Sequence, residues 1–442
     1  MIFAYDVLVI LGTLLIAPFY AWRYRKTPFL RKSWRERLGY LPDSVRTANP
    51  GGIWVHAVSV GETLAVAGLI ERLAAERPER QIFISHLTPT GREAGEKRLP
   101  NLAGRFYLPL DLPGPLGRAI RHVRPALLII AETELWPNLL RVTHRSGARV
   151  VFVNARLSDN SLRGYRLFRP FIRRTLENAD LILAQTAEDR ERFIEIGAKP
   201  ERTLAVGNLK FDTQPPGKSP VARALSKALP AVSRAPVVVA ASTMPGEERL
   251  ILDAWQSVRR HYPQALLILA PRHPARFDQV ARLVSSQGHE LLRRTALATE
   301  EPNLTMQLAS AGILLLDTLG ELAAIFELAD VVFIGGSLVP TGGHNLLEPA
   351  WWGKPVVFGP HMHNFREAAR IFLGAGAAVQ VQDAGELERE MIALLANGTR
   401  ARAMGIAARD IMRRESGVTE RVLERLLQLL DEAADHRSKG VS

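Results

Sequence analysis

Six short apolar runs precede residue 212 and six more follow residue 235, each dominated by aliphatic or aromatic side chains. The first series occupies 53–59, 81–87, 105–110, 126–131, 149–154 and 181–185; the second occupies 236–241, 265–270, 313–316, 331–335, 355–358 and 378–381. Amphipathic segments such as 63–77 lie between them. Strands apolar enough to be buried on both faces, and separated by helices, belong to parallel sheets covered on each side. The expected fold is therefore α/β, with two doubly wound, Rossmann-like halves. Segment 212–235, rich in proline and poor in strand character, is read as their linker. A chain of 442 residues also exceeds the size at which one core keeps growing. Ligands of such sheets bind beyond the carboxyl ends of the strands, so two facing halves imply a cleft there. Residues 408–436 read as a helix with Val422, Leu423, Leu426, Leu427, Leu429 and Leu430 on its apolar face.

The richest strand end is FIGGSLVPTGGHNLLEPAWWGKPVVFGP, residues 333–360. It reads as strand, glycine-rich loop, short helix and second strand. Gly342 and Gly343 allow close backbone approach to a ligand, and a helix starting near Asn345 offers free N–H groups to an anion. Glu348, three residues after Asn345, suits ribose hydroxyls; a tight turn with a capping box explains the same residues. Further strand ends carry VHAVSVGE with Glu62, TPTGRE with Arg92, AETELWPN with Glu132 and Glu134, PRHP with Arg272 and His273, and DTLGEL with Leu319, Gly320 and Glu321, while GNLKFD brings Lys210 to the domain boundary just before the linker. Glu62 can serve as a general base or as a first-turn glutamate favoured by the helix dipole. Arg92 fits an anion or plain turn chemistry, and Arg272 offers a fork suited to phosphate. No acidic or histidine cluster has metal-ligand spacing, so no metal or other cofactor is expected.

Net charge decides what kind of partner the chain meets. With 57 basic against 45 acidic residues it carries +12, which favours an anionic partner. The basic residues are scattered, without aromatics interleaved on a strand, which disfavours nucleic acid. The absence of cysteine excludes disulfides and thiolate metal sites. Residues 7–22 form an uncharged apolar run, followed by Arg23, Arg25, Lys26, Arg31, Lys32, Arg35 and Arg37. Apolar residues before basic ones read as an uncleaved membrane anchor with its following side cytoplasmic, or as a helix lying in the interface.

As an ordered set, these motifs resemble the Kdo transferases, which add the acidic sugar Kdo to a lipid A precursor. The resemblance runs from the N-terminal segment to about residue 415. It implies an inverting glycosyltransferase of the GT-B type at the cytoplasmic face of the inner membrane, single-pass or monotopic, using CMP-Kdo as donor and lipid IVA as acceptor. On this resemblance the divisions are an anchor (1–22), a basic juxtamembrane segment (23–50), an acceptor domain (51–211), the linker (212–235), a CMP-Kdo-binding domain (236–407) and a C-terminal helix and tail (408–442). The general base falls on Glu62, and the transition-state stabilisers on Glu132 and Lys210. The CMP contacts fall on Arg272 and His273, on Leu319, Gly320 and Glu321, and on Asn345, Leu346, Leu347 and Glu348.

Three positions depart from the family pattern. Met244 stands where a histidine commonly follows the threonine, Leu346 where a proline is frequent, and Leu319 where a methionine is usual. A GT-B enzyme using a UDP-sugar, a nucleotide-sugar 2-epimerase, and a non-catalytic membrane-tethered lipid A-binding protein are the alternatives. Donor choice and the effect of Glu62→Gln separate them.

Overall fold

The computed structural model describes residues 2–23, 29–212, 219–233, 235–298 and 301–439. Arg25 and Lys26 of the basic flank, and 213–218 and 234 of the expected linker, lie outside them. The chain divides into two units, residues 1–212 with 415–442, and residues 213–414.

In the first unit seven parallel strands lie in the order β3-β2-β1-β4-β5-β6-β7. They are β1 (Gly52–His56), β2 (Ile82–His86), β3 (Gly104–Tyr107), β4 (Pro125–Ala131), β5 (Arg149–Ala155), β6 (Leu181–Ala184) and β7 (Thr203–Ala205). Alternate residues feed two cores: Trp54, Phe83, Leu128 and Phe152 point to one face, and Ile53, Val55, Ile84 and Val151 to the other. That is why the runs are apolar without alternation.

The second unit repeats the plan in the order β10-β11-β9-β8-β12-β13-β14. Its strands are β8 (Val237–Thr243), β9 (Leu266–Pro271), β10 (Leu291–Arg293), β11 (Ile313–Leu315), β12 (Val331–Ile334), β13 (Val356–Phe358) and β14 (Ala378–Gln380). The expectation of two doubly wound α/β halves is met. The twelve apolar runs missed β7 and β10, three-residue strands at sheet edges, where one flank needs no partner and no long apolar run is required.

Two expectations on connectivity change. Within 212–235, residues Pro220–Ala231 form a helix capped by Ser219, with Ala222, Leu225, Ala228 and Leu229 buried; Pro220 sits at its start, where proline costs nothing. The helix read over 408–436 is two helices, Gly398–Glu415 and Val418–Lys439, broken at Gly417, whose φ of +78° ends the first. The second packs Val418, Val422, Leu426 and Leu430 into the core of the first unit.

The N-terminal run forms the helix Ile2–Arg23. Among the described residues no helix is long and apolar enough to cross a membrane. Its first turns dock on the first unit: Tyr5 donates its hydroxyl to Asp111 Oδ2 at 2.7 Å, and Asn138 Nδ2 donates to Asp6 Oδ1 at 2.6 Å. Phe3, Leu8, Leu14 and Leu15 remain exposed.

Candidate functional site

Each sheet reverses its winding beside its first strand, between β1 and β4 in one unit and between β8 and β12 in the other. Ligands of open α/β sheets bind at the carboxyl ends of strands at such switch points. Glu62 and Glu132 follow the two strands at the first of these places and the loop to Glu348 follows β12 at the second, while Arg92, Lys210, Arg272 and the DTLGEL loop follow other strands; each unit is taken by itself.

In the first unit β1 runs through Val58 into the helix Val60–Glu76, whose N-cap is Ser59. Glu62 folds back over this start. Its Oε2 accepts the Val58 N–H at 2.7 Å and its Oε1 accepts the Ser59 hydroxyl at 2.9 Å. Glu62 thus sits in the first turn, as the helix-dipole reading expects, with its carboxylate folded back beside Val58. Burial pushes the Glu62 pKa up to about 7, the Val58 and Ser59 hydrogen bonds oppose the rise, and the charges of Glu132 and Glu134 add to it. A carboxylate poised near neutral pH is suited to take a proton.

Glu132 follows β4 with φ at +56°, a conformation disfavoured for a residue with a Cβ. Its N–H donates to Val153 O at 2.9 Å, which turns the side chain off the sheet edge. Oε2 accepts Arg156 Nε at 2.8 Å and Oε1 accepts Lys210 Nζ at 3.5 Å. Glu134 accepts Trp136 Nε1 at 2.9 Å, and its pKa is raised by burial, with the Glu132 charge adding to the rise. The structure therefore brings Glu132 and Lys210 together, and the charges of Glu132 and Glu134 reach Glu62.

Lys210 is placed by buried amides that sequence reasoning missed. Leu209 N–H donates to Asn154 Oδ1 at 2.9 Å, Gln185 Nε2 to Asn154 O at 3.0 Å, Asn208 Nδ2 to Gln185 Oε1 at 3.0 Å, and Lys210 N–H to Asn208 Oδ1 at 3.0 Å. Asn154 and Gln185 close the apolar runs 149–154 and 181–185. An uncharged amide ending a buried strand was the available signal.

Arg92 is engaged by the protein. It donates to Glu36 Oε2 at 2.8 Å and stacks over the Tyr107 ring at 4.8 Å. Glu36, 2% exposed, also accepts the Tyr107 N–H at 2.7 Å. Thr88 caps the helix Pro89–Arg98 and donates to Val58 O at 3.0 Å. The TPTGRE motif therefore buttresses the Glu62 loop.

In the second unit the loop after β12 is organised by Glu247, which has no exposed surface. Its carboxylate accepts N–H groups from Met244 at 2.9 Å, Gly336 at 2.6 Å, Ser337 at 2.9 Å and Leu338 at 2.9 Å. Met244 acts here through its backbone, so the missing histidine leaves the loop intact. Farther along, Asn345, one residue before the N-cap Leu346, accepts the Leu347 N–H through Oδ1 and donates from Nδ2 to Glu348 Oε1, both at 3.0 Å. The helix they start is only Leu347–Trp351. Burial raises the Glu348 pKa against the Asn345 hydrogen bond and the charge of Arg272. Leu346 is fully buried.

Gly342 and Gly343 have a different reason from the one expected. Their φ values are +101° and +72°. A Cβ on Gly342 would lie 2.3 Å from Asn364 Nδ2, and one on Gly343 2.2 Å from Met362 Sδ. The close approach is made by the protein's own 362–364 segment.

Arg272 and His273 stand exposed just past β9, and both lower the pKa of His344, which burial and these charges bring to about 4. In the DTLGEL loop, Glu321 accepts Arg294 Nε and Nη2 at 2.9 and 2.8 Å. Burial works to raise its pKa, and the hydrogen bonds from Arg294 and Thr318 outweigh that and lower it. With its carboxylate occupied, this loop offers a ligand chiefly its backbone and the exposed Leu319; Gly320, at φ +87°, has open space beside it. Among the described residues no group of three or more histidine and carboxylate side chains is placed to hold a metal ion.

Residues 32–213 match the family described as 3-deoxy-D-manno-octulosonic-acid transferase (kdotransferase). The chain is 33% identical over 434 residues to a 3-deoxy-D-manno-octulosonic acid transferase of Haemophilus influenzae, covering 97% of this chain and 99% of the relative. It is 37% identical over 385 residues to one of Bordetella pertussis, covering 85% of this chain and 86% of that one. Among solved structures, UDP-GlcNAc 2-epimerase from Neisseria meningitidis aligns with a TM-score of 0.55 at 12% identity, over 85% of this chain and 100% of that one. That likeness is one of fold, a GT-B-like pair of Rossmann-like domains.

Proposed function

Since the chain belongs to the 3-deoxy-D-manno-octulosonic acid (Kdo) transferase family and is a glycosyltransferase that transfers Kdo in lipopolysaccharide biosynthesis, we propose CMP-Kdo as its donor, lipid IVA as its acceptor and Glu62 as its general base. The observation that carries the choice of base is a carboxylate at the switch point of the first sheet with its pKa pushed up to about 7. Glu62 takes the proton of an acceptor sugar hydroxyl as that oxygen attacks the anomeric carbon of Kdo. The bond to CMP breaks on the opposite face, its electron pair leaves with the phosphate, and the configuration inverts.

CMP departs as a phosphate monoester and needs neither a proton nor a metal ion. Glu132 favours positive charge developing on the sugar ring, and Lys210, held against it, meets the donor's carboxylate or departing phosphate. Arg272 and His273 face the phosphate in this reading. The backbone of Leu319, Gly320 and Glu321 and the Asn345–Glu348 turn, including Leu346 and Leu347, hold the nucleotide, with Glu348 on the ribose.

The helix Ile2–Arg23 lies along the cytoplasmic face of the inner membrane in this account. Its exposed Phe3, Leu8, Leu14 and Leu15 enter the acyl boundary while Tyr5 and Asp6 hold it to the enzyme. Deleting residues 1–23 should abolish flotation with anionic vesicles; flotation that persists would refute this placement. Purified protein offered CMP-Kdo and a panel of UDP-sugars, each with lipid IVA, tests the reaction. Release of CMP alone, with Kdo on the lipid, is expected, and consumption of a UDP-sugar instead would overturn the donor.

A further inference from the structure

Arg156 belongs to none of the motifs singled out in the sequence, yet it sits one residue beyond β5, beside the end of β4 that carries Glu132. Its Nε donates to Glu132 Oε2 at 2.8 Å. The pair is asymmetric: 49% of the Arg156 side-chain surface is exposed against 11% for Glu132. Anchoring through Nε fixes the guanidinium, and among the described residues its two terminal nitrogens donate to no protein group.

A guanidinium has two usable edges, so one held on a carboxylate through Nε can still offer a two-nitrogen fork to another oxyanion. Glu132 is met by two cations, Arg156 and Lys210. Arg156 is also built in with Lys210: Asn154, two residues before it and at φ +54°, supports Leu209 and Gln185 in the network that sets Lys210.

We propose that Arg156 is a specificity-determining residue whose terminal guanidinium nitrogens take an oxyanion of a substrate, a phosphate of the acceptor or the carboxylate of the transferred sugar, while its Nε holds Glu132 in place. The inference rests on the Kdo-transfer reading above. It predicts that lysine cannot replace arginine here, because a single ammonium cannot bridge two oxyanions in a fixed geometry.

The test measures KM for CMP-Kdo and for lipid IVA in wild type, R156K and R156Q, with Tm as a fold control, and repeats the acceptor series with the lipid lacking its phosphates. A rise in one KM of roughly ten- to a hundredfold in both variants is expected, the scale of a charge-assisted hydrogen-bonded pair. If the acceptor KM rises and the wild type's preference for the phosphorylated lipid disappears, the oxyanion is the acceptor phosphate. If the donor KM rises alone, it is the sugar carboxylate. Unchanged KM values with only a lower kcat would overturn the proposal and leave Arg156 as a support for Glu132. Should R156Q lose its fold, R156K carries the same comparison. A wild type that releases no CMP refutes the transfer reading instead. Calorimetry of wild type and R156K with the acyl-free bisphosphorylated disaccharide and with CMP-Kdo then still decides whether Arg156 binds an oxyanion.

Discussion

Glu247 accepts the Gly336 N–H at 2.6 Å, so a fully buried carboxylate opening the helix Glu247–His261 holds the glycine-rich loop after β12. Three more N–H groups share that carboxylate. Glu247→Gln puts an NH2 against N–H donors, and the loop loses its support. Stability of the second unit should fall by about 2–4 kcal/mol, the range for breaking a buried, charge-assisted network. CMP affinity should fall with it. Thermal unfolding and CMP titration check both; a variant with wild-type Tm would show that the loop holds itself.

Gly91 decides whether the Glu62 loop can keep its shape. A Cβ there would lie 2.9 Å from Val58 O and 2.9 Å from Thr88 Oγ1. The first of these is backbone and cannot swing away. Gly91→Ala should push Val58, whose N–H binds Glu62, at a stability cost of about 1–3 kcal/mol. The loss of kcat should exceed what the fall in Tm explains. Unchanged kcat would mean that the Val58 contact does not position the carboxylate.

Acid should weaken the first unit through two histidines. Burial brings His56 down to about 3 and His86 to about 4, against the backbone hydrogen bonds of their Nδ1 atoms to Ser85 O and Ala57 O. The unfolded chain takes these protons near pH 6.5 and the folded chain refuses them. Stability is therefore full above about pH 6.5 and falls as pH drops toward 4, by roughly 1.4 kcal/mol per unit for each histidine. Urea midpoints at pH 7.5, 6.5 and 5.5 measure the slope, and His86→Gln should make it shallower.

Much of this molecule was legible because burial on both faces of a parallel sheet leaves apolar runs that no surface segment would tolerate. Glu62, Glu132 and Arg272 could be placed at strand ends for the same reason. Asn154 and Gln185 closed two of those runs, yet their part, with Asn208, lay in hydrogen bonds between segments far apart in sequence. Arg92 shows the opposite difficulty: a basic residue at a helix start looks like an anion site until Glu36, 56 residues away, is found against it. Glycine spacing in 342–343 also said nothing about whether a ligand or the 362–364 segment was the close neighbour.

The pH dependence of turnover should follow Glu62. With its pKa near 7, the base is protonated below that value, so kcat/KM should rise through an acid limb centred near pH 7 and level off above it. The sign for stability is opposite. A folded-state pKa raised above the ordinary carboxylate value means the buried carboxyl costs stability as pH rises from about 4.5 to 7. Glu62→Gln should remove both trends, and an acid limb persisting in that variant would assign the titration to another group.

The most direct measurement is single-turnover CMP release from CMP-Kdo with lipid IVA at pH 8, wild type against Glu62→Gln. Roughly a hundredfold or greater loss in the variant, the scale of losing a general base, with CMP-Kdo affinity unchanged, is the predicted result. A variant releasing CMP at the wild-type rate would contradict the account, because the carboxylate at the end of β1 would then be a helix cap and nothing more.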